Sequence, residues 1–169
     1  MVMLADFSRE EKSYNWLEAA KSYEHDLQSS SFSPSSAGDY WQRIGYCYEL
    51  ASRQTNDLEG FKNLRGLAVE AYEKANRLFF EGSVSEKQGK GSQCLAFAEY
   101  ARSWLASSSH EKQKALDKCH DFAKVALAVF ENSGNKLEFG KTANVLNQCL
   151  FDRLYIATTG EEIKAFSKE

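Results

Sequence analysis

The chain has 169 residues and a net charge of −3, with 21 Lys and Arg against 24 Asp and Glu. A chain of this length fits one domain able to bury about two-thirds of its unfolded surface, and 43% hydrophobic residues argue against disorder. The near balance of charge, with no basic stripe, excludes nucleic acid as the expected partner. No apolar run nears the ~20 residues a membrane-spanning helix needs, so no membrane insertion is expected.

The expected fold class is all-α. Only one proline occurs, Pro34, and helix interiors exclude proline because it lacks the N–H and clashes with the preceding turn. A start signal recurs seven times, at intervals of 20 to 28 residues: a short polar residue followed three positions later by an acid. The pairs are Ser8 and Glu11, Ser36 and Asp39, Asn56 and Glu59, Ser83 and Glu86, Ser108 and Glu111, Asn135 and Glu138, and Thr158 and Glu161. In this capping pattern the first side chain accepts a hydrogen bond from an otherwise unpaired helix N–H. The acid reaches back while favouring the positive helix end.

In chain order, the first predicted helix covers residues 8–28 and shows Trp16, Ala20, Tyr23 and Leu27 on one face. A serine-rich loop, 29–38, holds Pro34. The second helix covers 38–53, with Trp41, Ile44, Tyr48 and Ala51 inward. The third covers 57–81 and stops at Gly82, a favourable residue just past a helix end. Its stripe is Phe61, Leu64, Ala68, Tyr72, Ala75 and Phe79. Residues 82–91 are rich in glycine and lysine, so the fourth helix starts at either Glu86 or Ser92 and carries Cys94, Phe97, Ala98, Ala101 and Leu105. The fifth, 109–132, carries Leu116, Cys119, Ala123, Leu127 and Phe130 and is stopped by Gly134. The sixth, 136–157, carries Phe139, Ala143, Leu146, Leu150 and Leu154. A short last helix is expected over 161–166. The truncated ending suggests a single helical-repeat domain that is part of, or cut from, a longer array.

The four cysteines, at 47, 94, 119 and 149, form no C-x-x-C pair and fall on apolar helix faces. They are expected to be buried and reduced, which points to a reducing compartment and a cytoplasmic location.

Trp41-Gln42-Arg43-Ile44-Gly45-Tyr46-Cys47-Tyr48 reads W-x2-I-G-x2-Y. This resembles the first helix of a tetratricopeptide repeat, W-x2-L-G-x2-Y. Ala68-x3-Tyr72-x2-Ala75 resembles the second helix of such a repeat. The period departs from the family: about 34 residues there, but 47 from Ser36 to Ser83 and 52 from Ser83 to Asn135 here. The resemblance therefore implies long antiparallel helix pairs, stacked as a tetratricopeptide-like right-handed superhelix of six long helices plus a short C-terminal one. It also implies a concave groove lined by the first helix of each pair. Carried over by position, the groove residues are Gln42, Tyr46 and Glu49, then Glu99 and Arg102, then Asn144, Asn147 and Gln148. Some family members clamp a peptide carboxylate there with Lys and Asn; Gln42 and Tyr46 stand where the first clamp residues belong, so that mode is not expected.

No chemistry is demanded elsewhere. Gly140-Lys141-Thr142 imitates the end of a phosphate-binding loop, but the first glycine is misplaced and no strand precedes it. Cys119 and His120 are neighbours and point about 100° apart on a helix, so they do not face each other. No catalytic residue, metal ligand set or cofactor is expected. The leading expectation is a non-enzymatic scaffold binding a protein or peptide, with possible homo-oligomers through the terminal helices. Two alternatives stay open: a regulatory or oligomerisation domain of a larger enzyme such as an ATPase, and a helical small-molecule binder or enzyme.

Overall fold

The computed structural model describes residues 9–80 and 85–157, with the side chains of 85–87 left out. Among the described residues there are seven helices and no strand. They are α1 (Arg9–Lys12), α2 (Trp16–Ser29), α3 (Pro34–Ser52), α4 (Leu58–Phe80), α5 (Ser85–Ser103), α6 (Ser109–Ser133) and α7 (Lys136–Ile156). Ser8, Gly82, Ser83, the seventh start signal and the helix expected over 161–166 lie outside the described residues.

Each helix packs on the next. Contacts between α3 and α4 run in opposite directions along the two: Gly38 meets Phe79, Gly45 meets Tyr72, and Glu49 reaches Arg65. The pair is thus antiparallel. A second rule organises the stack. The first helices α3, α5 and α7 touch one another in turn, whereas α2, α4 and α6 make no mutual contact among the described residues.

Two apolar cores result. One joins α2 to α5 and holds Ile44, Tyr48, Tyr72, Ala75 and Phe79; the other joins α5 to α7 around Ala96, Leu116, Cys119, Val145 and Cys149. Phe97 packs against both. Of the repeat-like residues, Ile44, Gly45, Tyr48, Ala68, Tyr72 and Ala75 are buried and Trp41 is half-buried. A Cβ on Gly45 would lie 2.7 Å from the Tyr72 ring, so only glycine allows this approach. All four cysteines are buried and free.

Several expected boundaries move, each for a local reason. The first predicted helix is broken. Tyr14 adopts φ 60°, with Tyr14 N–H donating to Glu11 O and Asn15 N–H to Glu10 O. That is a Schellman ending, and the Ser13 hydroxyl adds a bond to Glu10 O. The second predicted helix begins earlier than residue 38. Pro34 opens α3 and Ser33 caps it, accepting from Ser36 N–H, so Ser36 lies inside the helix. Asp57, not Asn56, caps α4 by accepting from Gly60 N–H at 2.7 Å. The glycine-rich stretch is already helical from Ser85. A Cβ on Gly89 would come within 2.7 Å of Val129, so glycine there serves close packing of α5 on α6. Ser108 and Asn135 cap α6 and α7 as expected.

The largest correction concerns α7. Its predicted stripe is not its buried face: Phe139 and Leu154 are exposed and Ala143, Leu146 and Leu150 are half-buried. The buried positions are Glu138, Thr142, Val145, Cys149 and Arg153. The helix meets only α6 and α5 among the described elements, so one face is satisfied and its hydrophobic flank is left over.

Candidate functional site: a groove across three first helices

The mutual contact of α3, α5 and α7 leaves a cavity of about 740 Å3 along one side of the stack. On α3, Gln42, Arg43, Tyr46 and Glu49 recur at helical spacings and line it, followed by Arg53 at the end of the helix. Lys90, Phe97 and Tyr100 line it from α5, and Leu137, Lys141, Asn144 and Gln148 from α7. Tyr23 of α2 and Tyr72 of α4 complete the wall.

The three helices are tied by one buried glutamine. Gln93 on α5 is fully buried. Its amide oxygen accepts from Gln42 of α3 at 2.5 Å. Its amide nitrogen donates to Glu138 O at 3.1 Å and to Thr142 Oγ1 at 2.9 Å, both on α7. A buried amide is costly unless satisfied; here the satisfying groups come from both neighbouring helices, so the bridge fixes their mutual register.

The charges of the groove are matched internally. Lys90 lies 2.6 Å from Asp39, Lys141 2.8 Å from Glu138 and Arg53 2.8 Å from Glu49. Arg43 is paired with Glu11 of α1. Burial pushes the Lys90 pKa down, but Asp39 outweighs it and the net shift is upward, so Lys90 stays charged. Burial, then Asp152, pushes the Tyr100 phenol up to about 12, so it stays neutral. What the groove offers beyond these pairs is aromatic surface, chiefly the exposed Tyr46 with the half-buried Phe97, and the amides of Asn144 and Gln148.

Five of the eight predicted residues line this cavity: Gln42, Tyr46, Glu49, Asn144 and Gln148. Two of them are committed to the fold. Gln42 belongs to the glutamine bridge. Glu49 holds Arg53, the buried Arg65 at 3.3 Å and the Tyr72 hydroxyl at 3.3 Å. Burial pushes the Arg65 pKa down and Glu49 counteracts it.

Glu99 and Arg102 lie elsewhere. They border a separate cleft of about 310 Å3 with Lys114 and Lys118 of α6. Arg102 links Glu99 and Glu73, each at 2.5 Å. Positions 97 and 99 differ by about 200° around a helix, from 3.6 residues per turn; the inward side of α5 is that of Gln93, Phe97 and Tyr100. Asn147 is exposed and borders neither space.

Sequence reasoning missed Gln93, Arg43 and Lys90. The available signal was the spacing of Lys90, Gln93, Phe97 and Tyr100, which repeats that of Asp39, Gln42, Tyr46 and Glu49. The phosphate-loop imitation is absorbed into the groove, with Lys141 paired to Glu138 and Thr142 in the bridge. Cys149 at its side, then burial, pushes the Cys119 thiol far up, so it stays protonated. Among the described residues no group of three or more His, Cys, Asp or Glu is placed to hold a metal ion, and no helix is long and apolar enough to cross a membrane. No protein-family model, curated protein or solved structure matches the chain.

Proposed function

We propose that the chain is a non-enzymatic protein–protein interaction module of the tetratricopeptide-like kind, whose α3–α5–α7 groove holds a segment of a protein partner. The observation that carries this reading is the groove itself: aromatic rings and unspent amides on three parallel first helices, tied into one surface by Gln93. Its charges are neutralised from within, so along most of its length the favoured guest is a peptide read by hydrogen bonds and ring contacts. Preformed surfaces of this kind bind through a few anchors.

A peptide-display selection against the full chain tests this. Selected peptides should lose ~10-fold or more in affinity, the scale of a hot spot, with Tyr46→Ala or Asn144→Asp. Lys124→Ala, on the exposed face of α6, should leave them unchanged. Peptides that bind equally well to all three variants would end the reading.

A further inference from the structure

At the α2–α3 end of the groove sits a complete carboxylate pocket. Glu11, only 4% exposed, fills it. Arg43 grips the carboxylate with two nitrogens, Nε at 2.6 Å from one oxygen and Nη2 on the other. Cys47 Sγ donates at 3.4 Å, and Tyr23 adds a hydrogen bond. All these donors belong to α2 and α3, whereas the acceptor comes from the four-residue α1. Arg43 and Tyr23 also line the groove.

The segment that delivers Glu11 is joined to the stack by an unusual turn. Tyr14 is the only non-glycine residue with positive φ among the described residues, a conformation that crowds an L side chain. Gln54 holds it by donating to Tyr14 O at 3.0 Å. Its ring meets Trp16, Trp16 meets Tyr46, and the Arg43 guanidinium lies 4.9 Å from the Tyr46 ring centre. The turn, the pocket and a groove residue are therefore in one chain of contacts.

We propose that this pocket is a carboxylate-binding subsite of the groove, occupied in cis by Glu11, and that α1 is a strap displaced when a partner segment supplies an acidic side chain in its place. Removing Glu11 alone takes away the carboxylate to which both Nε and Nη2 of the largely buried Arg43 donate, which is costly. Exchanging one carboxylate for another avoids that cost, because Arg43 remains paired throughout. The strap thus opens for a carboxylate and resists opening otherwise. The identity of the competitor rests on the groove reading above; the pocket itself does not.

Acetate is a minimal probe. The full chain, its Glu11→Ala variant and the double variant Glu11→Ala with Arg43→Gln are melted at neutral pH in acetate or in chloride of equal ionic strength. Glu11→Ala should melt below wild type and regain most of the loss in a saturable response to acetate but not to chloride. Wild type should gain no stability, because acetate could only trade places with Glu11, and the double variant, whose pocket is gone, should not respond. If Glu11→Ala does not fold in chloride, its saturable folding on addition of acetate, followed by circular dichroism, is the same expected response. Equal response of all variants, or none by the single variants, overturns the proposal. Neither outcome touches the peptide selection, so the pocket and the groove reading fail separately.

Discussion

The two ends of this stack are held together by different means. Between α3 and α4 the contacts are large and charged: the Tyr72 ring fills the space left by Gly45, and Glu49 gathers Arg53, Arg65 and the Tyr72 hydroxyl. Between α6 and α7 the apolar contacts are small, Cys119, Ala123, Val145 and Cys149, with the Cys149 thiol donating to Leu116 O at 3.1 Å, and the charged link, Arg153 to Asp117 at 3.3 Å, ends on a half-exposed carboxylate. α3 has neighbours on several sides, whereas α7 leaves Leu137 67% exposed and Tyr155 82% exposed. A helix covered on both sides needs its polar groups matched and its volumes fitted; a helix covered on one side tolerates loose ends.

Substitutions should break that comparison asymmetrically. The largest effect is expected at Glu49. Glu49→Ala strands the buried Arg65 guanidinium and should cost about 3–5 kcal/mol in urea denaturation. Glu138 is also buried, but Glu138→Ala leaves behind Lys141, 48% exposed and able to hydrate, and should cost far less, about 1 kcal/mol. Equal losses would show that the two ends are not held differently.

Next come the glycines. Gly45→Ala would push a Cβ to 2.7 Å from Tyr72 and should cost about 1–3 kcal/mol. Gly140 in α7 has nothing within 4 Å of such a Cβ, so Gly140→Ala should stabilise by up to about 1 kcal/mol through helix propensity.

A subtler pair compares two helix ends with the same hydrogen bonds. At the end of α6, Gly134 has φ 69°, and Gly134 and Asn135 N–H groups donate to Glu131 and Phe130. At the end of α1, Tyr14 holds the same position. Tyr14→Gly should therefore stabilise and Gly134→Ala destabilise, each by about 1 kcal/mol in thermal melts.

The smallest expected effect is in acid. Burial pushes the Glu11 pKa up, but Arg43, with Tyr23 and Cys47, outweighs it and holds it below the usual range. The sign follows: Glu11 contributes stability above the unfolded value, about 4.3, and loses it as pH falls through that value and on through the folded one. The difference in stability between wild type and Glu11→Gln should shrink across that window and stay constant at neutral pH.

Helix identity and most of the inward stripes were legible because period, caps and the scarcity of proline act locally. Ser108, Asn135 and Gly134 announced themselves through chemistry that needs no distant partner. The groove was legible only in part. Tyr46, Asn144 and Gln148 follow from position on their helices, but Glu99 and Arg102 did not, since the rotation of α5 is set by where Gln93 finds Gln42 and Thr142. The break at Tyr14 was silent because its residue type argues against a left-handed turn.

The amino-acid order alone determined an all-helical chain with predictable starts and stops, since those depend on hydrogen bonds among near neighbours. Tertiary structure decided which face of each helix became wall, floor or surface. Those choices hinge on partners far apart in sequence: Gln93 with residues 42 and 142, Glu49 with Arg65, and Arg43 with Glu11. A side chain's burial cost is settled only once such partners arrive.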